Sequence, residues 1–125
     1  MDVNGVTNAF NVATSQTATA TVTGSAIDTT GYQGSLKLIL NSAAGTGTTP
    51  TLDVKVQTSD TTTSGDFADV TGLAFTQVTD ATDSFQQMQV EKGAIKKYIR
   101  VIATIAGATP SFAFSVCAVG EKQYN

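Results

Sequence analysis

The sequence predicts an all-β protein, an antiparallel β-sandwich of jelly-roll-like form preceded by an extended N-terminal arm. Three observations predict it. Apolar and polar residues alternate at period two in one segment after another, as strands with one buried face require. Clusters of Gly, Thr, Ser and Asp separate those segments at the spacing of all-β domains. No stretch carries a convincing helical period.

Residues 1–16 hold scattered apolar side chains, Val3, Val6, Phe10 and Val12, without a clear period, and are read as an arm that orders against a neighbour. The sandwich domain is then residues 17–125. Within it, "TATATVTG" (17–24) alternates Thr with Ala18, Ala20 and Val22. "SLKLILNSA" (35–43) puts Leu36, Leu38 and Leu40 on one face. "TLDVKVQTS" (51–59) sets Leu52, Val54 and Val56 inward against Asp53, Lys55 and Gln57 outward. "GLAFTQV" (72–78) and "SFQQMQV" (84–90) are shorter strands. Between these segments, "AAGTGTT", "DTTTSGD" and "TDATD" have turn compositions.

The end of the chain, "IKKYIRVIATIAGATPSFAFSVCAVG", is nearly free of charge after its opening lysines. Arg100, Gly107 and Pro110 interrupt it well short of the roughly 18 residues of a membrane span. Its β-branched and aromatic residues favour strands over a helix. Ile99, Val101, Ala103 and Ile105 share one face, and Phe112, Phe114, Val116 and Ala118 another. With "GATP" as a turn, this reads as a long hairpin at the centre of the sheet.

Composition excludes more than it assigns. The chain has 125 residues, enough for one domain with a core of its own. With no His and one Cys, it lacks the usual zinc and iron ligand sets, an internal disulfide and every His-dependent catalytic triad. A net charge of −3 gives no field for nucleic acid or an acidic membrane surface. The start, "MDVNGVTNAF", has neither the basic residues nor the apolar run of a signal peptide. Charged residues make up only 14 % of the chain, as expected if neighbours cover much of its surface.

Asp28, Asp53, Asp60, Asp66, Asp69, Asp80 and Asp83 invite a calcium reading. No D-x-D-x-D-G loop gathers them, so they are read as turn residues and no metal or cofactor is expected. "GTG" (45–47) lacks the helix and Lys of a phosphate cradle. Cys117 reads as a small core hydrophobe. Lys96, Lys97 and Arg100 form the single basic cluster, either protection of a sheet edge or a contact with an acidic partner surface. In a strand, Lys96 and Arg100 would point one way and Lys97 the other. No spacing supports an enzyme.

Two stretches carry a resemblance to a known family: "LDVKVQTSDTTTSGDFADVTGLAFTQVT" and "KKYIRVIATIAGATPSFAFSVCAVGEKQY". They resemble head decoration, or cement, proteins of tailed bacteriophages, over about the last ninety residues. The resemblance implies a virion protein on the outer head surface that stabilises contacts between major capsid protein subunits. Its partners would be that capsid protein and further copies of itself, a trimer before a dimer, with neither nucleic acid nor membrane. Contacts would then fall on Val3, Val6, Phe10 and Val12 of the arm and on Lys96, Lys97 and Arg100. The alternative is a carbohydrate-binding β-sandwich module of a phage tail or cell-surface protein. Against it stand the absence of Trp and the wide separation of Tyr32, Tyr98 and Tyr124.

Overall fold

The long charge-poor C-terminal stretch organises everything else. In the computed structural model, which describes residues 7–122, it is not a hairpin but one bent strand, β8 (Tyr98–Lys122). Seven strands precede it: β1 (Thr7–Ala18), β2 (Val22–Thr23), β3 (Ile27–Asp28), β4 (Tyr32–Ser42), β5 (Thr46–Ser59), β6 (Ala68–Ala74) and β7 (Ser84–Glu91). All pairings are antiparallel. The C-terminal half of β8 lies between β1 and β4, and β7 adds beyond β4. Its N-terminal half lies between β5 and the short β2 and β3, and β6 adds beyond β5. The result is an all-β, jelly-roll-like sandwich whose two layers share β8.

The bend explains why the hairpin reading fails. Residues 98–111 pair with β5, and 112–122 with β4 and β1, so the two halves never pair with each other. β4 and β5 follow the same path, joined at Ala43–Gly45, where the Ala43 N–H donates to the Ala113 carbonyl at 2.9 Å. Two long bent strands thus run side by side round one corner. Leu38 faces Ala118 before the corner, and Leu52 faces Ile105 after it, a slip of one residue in register. That slip exchanges the faces of β8. Odd-numbered Ile99, Val101, Ala103 and Ile105 point inward on one side, even-numbered Phe112, Phe114, Val116 and Ala118 on the other. Gly107 stands at the corner with φ +121°, and a Cβ there would lie 2.9 Å from the Pro50 Cα.

The core lies between the layers and forms one cluster. Leu36, Leu38, Leu40, Leu52, Val56, Val90, Ile99, Phe112, Val116 and Ala118 are completely buried in it. Among the described residues, every buried side-chain polar atom has a hydrogen-bond partner. The Thr58 hydroxyl, for example, donates to the Tyr98 carbonyl at 2.9 Å and accepts from the Lys96 N–H at 2.7 Å.

Several expected elements differ. The segment at 17–24 is broken after Ala18, and only Val22 and Thr23 resume pairing, with Ala103 and Ile102. The strand expected at 72–78 lies earlier, as β6, and Val78 joins only through a bridge to Leu52. Residues 7–16 are extended, but as β1 they pair with β8 of the same chain, from Thr7 opposite Glu121 to Gln16 opposite Phe114. Val12, expected as a contact to a neighbour, is buried in the core. Phe10 stands opposite Ala118 in the ladder. Val3 and Val6 lie outside the described residues.

Candidate docking surfaces

The basic cluster sits where β8 begins, and its members have different environments. Lys96 and Lys97 precede the strand and are exposed. The Lys97 ammonium lies 5.3 Å from the centre of the Tyr98 ring. Beneath them, the fully buried Thr29 binds the Lys97 carbonyl through both its N–H and its hydroxyl, each at 2.9 Å. Lys92 donates to the Thr29 carbonyl, so it brings a further cation to this end. Desolvation holds the Lys92 ammonium below its ordinary range, with Asp28 opposing the shift. The Asp28 carboxyl is held below its ordinary range by the Thr30 hydroxyl first, then the Thr30 N–H, with Lys97 and Lys92 adding attraction.

Arg100 does a different job. Its Nε donates to Gln57 at 2.9 Å, and its guanidinium reaches the Ser64 hydroxyl at 3.0 Å. The same group stacks 4.3 Å from the centre of the Phe67 ring. These contacts hold the 60–67 loop against the sheet, so the half-buried Arg100 clamps that loop. Beside it, Asp69 accepts from Gln57 at 2.9 Å and from Lys55 at 3.0 Å.

The Asp residues disperse in the same way. Asp53 pairs with Gln77, Asp66 with Thr61, and Asp83 accepts the Ala44 N–H at 2.9 Å. Among the described residues, no group of three or more His, Cys, Asp or Glu comes together to hold a metal ion. Cys117 is half-buried and faces outward between the core positions Val116 and Ala118. It belongs to the outer surface of its layer, not to the core as the sequence implied.

A shallow pocket of about 300 Å³, open to solvent, lies at the β4–β5 corner against β8. Asn41, Ser42, Asp83 and Ser115 supply its polar wall and Phe114 its floor. Phe85, opposite Asn41 in register, is the one large hydrophobic side chain that stands exposed among the described residues. The sequence reading missed this position, although β7 alternates and Phe85 falls on the face opposite buried Val90. That parity was the available signal.

No family profile and no curated protein matches the chain. Solved structures do. The chain is similar to a chain of the infectious bursal disease virus particle at 15 % identity and a TM-score of 0.58, over 93 % of its own length. It is similar to VP2 of the infectious bursal disease virus subviral particle at 12 % identity and a TM-score of 0.56, over 94 %. It spans about a third of those viral chains, 31 % and 32 % respectively. A SPBc2 prophage-derived protein, YomS, matches over 93 % of both chains at 9 % identity and a TM-score of 0.46. At these identities the similarity to the two viral chains shows a shared fold alone.

Proposed function

We propose that this chain is a structural protein of a tailed-phage virion, bound to the outer surface of the head, where it stabilises contacts between major capsid protein subunits. It works by binding alone, without catalysis, cofactor, nucleic acid or membrane. The observation that carries this reading is the fold: over nearly its whole length the chain matches a domain-sized part of VP2 in an assembled viral particle. The resemblance of residues 52–79 and 96–124 to phage cement proteins narrows the class. The surface is compatible with the role, because exposed Lys96 and Lys97 crown one end of a molecule with net charge −3. Many copies on one shell would also turn weak single contacts into strong collective attachment.

Co-sedimentation with undecorated phage heads tests the proposal. The protein should pellet with heads at a saturating, fixed stoichiometry. Reversing Lys96 and Lys97 to Glu should weaken the binding, and added salt should weaken the native contact. A protein that ignores heads but binds polysaccharide would overturn this reading in favour of a carbohydrate-binding module.

A further inference from the structure

Residues 47–50 read Gly-Thr-Thr-Pro and residues 107–110 read Gly-Ala-Thr-Pro, one motif met twice, sixty residues apart. The two segments share a backbone path. Gly47 and Gly107 have φ +110° and +121°, and Thr49 and Thr109 have φ +46° and +47°. A β-branched residue is costly in the left-handed region, and a following proline pushes it further towards extended backbone. The motifs face each other across the ladder between β5 and β8: Thr48 pairs with Ala108, Thr46 with Ser111 and Thr51 with Ala106. Exchanging each residue with the one sixty places away turns the Thr46 pair into the Thr51 pair and leaves the Thr48 pair in place. A local two-fold axis therefore passes through Thr48 and Ala108. The close approaches obey it too. A Cβ on Gly47 would lie 2.5 Å from the Thr109 carbonyl oxygen, and one on Gly107 would lie 2.9 Å from that of Thr49.

The relation reaches beyond the corner. Leu52, Val54 and Val56 correspond to Phe112, Phe114 and Val116, and all six are buried. β6 flanks β5 as β1 flanks the C-terminal half of β8, and β7 flanks β4 as β2 and β3 flank its N-terminal half. The order β1, β2–β3, β4–β5 thus recurs as β6, β7, β8. We propose that the two motifs form a mutual latch on this axis, in which each kink holds the other and the two repeats of the chain are tied together. Strained backbone persists only where its surroundings over-determine it. Here each strained Thr sets its carbonyl against the opposite glycine, where a side chain would push it away. The corner therefore opens as one unit, and β8 and the β4–β5 path cannot straighten separately.

Thermal melting of the full chain tests the latch through Gly47→Ala, Gly107→Ala and the double variant. Each single substitution should lower Tm by at least about 5 °C. The double variant should melt close to the weaker single one, because the first substitution already breaks the contact that the second would break. Gly65→Ala, where a Cβ meets nothing, should leave Tm within about 1 °C. Amide exchange of residues 46–49 and 106–109 gives a second readout that needs no disruptive variant. Both segments should open with the same free energy, and Thr49→Gly, which relieves strain in one kink, should change exchange in both. Losses that simply add in the double variant overturn the proposal. So does separate opening of the two segments, or a Thr49→Gly effect confined to residues 46–49.

Discussion

Phe114 and Phe85 show how differently one residue type can matter in this fold. Phe114 is 3 % exposed and packs between the layers, whereas Phe85 is 63 % exposed on the outer face of β7. Phe114→Ala should cost about 3–5 kcal/mol through the cavity it leaves. Phe85→Ala should leave the monomer's stability within about 0.5 kcal/mol. Denaturant titration of both variants checks this, and equal losses would mean that the face assignment of β7 is wrong. The carboxylates provide a second residue-scale test. Asp69 is held below its ordinary value of 3.8 chiefly by Gln57 and then Lys55, and Asp28 chiefly by the Thr30 hydroxyl. A carboxylate depressed on folding contributes stability that is present above 3.8 and lost as pH falls through its lower folded value. Melting temperature should therefore hold down to about pH 4 and fall below it. Asp69→Asn should make that fall shallower.

The strands themselves were largely readable, because period-two alternation reports directly which side chains are buried. Leu36, Leu38 and Leu40, then Leu52, Val54 and Val56, face inward as the pattern requires. Both inward sets of the C-terminal stretch are also those expected from its spacing. Its path was not readable. "GATP" has the composition of a reversal, but a corner that carries a strand from one layer to the other also needs positive φ, at Gly107 and Thr109. Only the partner strand, turning at the same place, separates the two cases, and that information is non-local. Residues 7–16 hid their role for a related reason. Two register shifts interrupt β1, so no single period runs through it. Of the candidate contact residues, Val12 belongs to the core and Arg100 clamps a loop, whereas Lys96 and Lys97 remain exposed. β1 also carries a prediction. Val12→Ala should cost about 2 kcal/mol for the apolar groups removed from a buried site. Deleting residues 1–16 should cost more, because it strips a flanking strand from β8 and uncovers a long new edge. Thermal melting that leaves the truncated protein as stable as the full chain would show that β1 is dispensable.

At the scale of the whole molecule, β8 makes the fold depend on the last part of the chain. It pairs with β1, β2, β3, β4 and β5, and only β6 and β7 attach through other strands. Without it, β4 and β7 keep a ladder, and β5 and β6 keep another, but no strand pairing joins the two layers and their centre is unfilled. Two such ribbons expose the inner leucines and valines to water and fall short of an independently stable sheet. Residues 1–97 alone should therefore lack the fold entirely rather than lose part of it, with collapsed amide dispersion in NMR and no cooperative melt. Because β1 and β8 meet across nearly the full chain length, the closing contacts are non-local, and folding of the intact protein should take milliseconds to seconds, as in other all-β sandwiches. Stopped-flow refolding measures the rate, and the fragment's spectrum measures the dependence. A cooperatively melting 1–97 fragment would mean that the layers hold together without their shared strand.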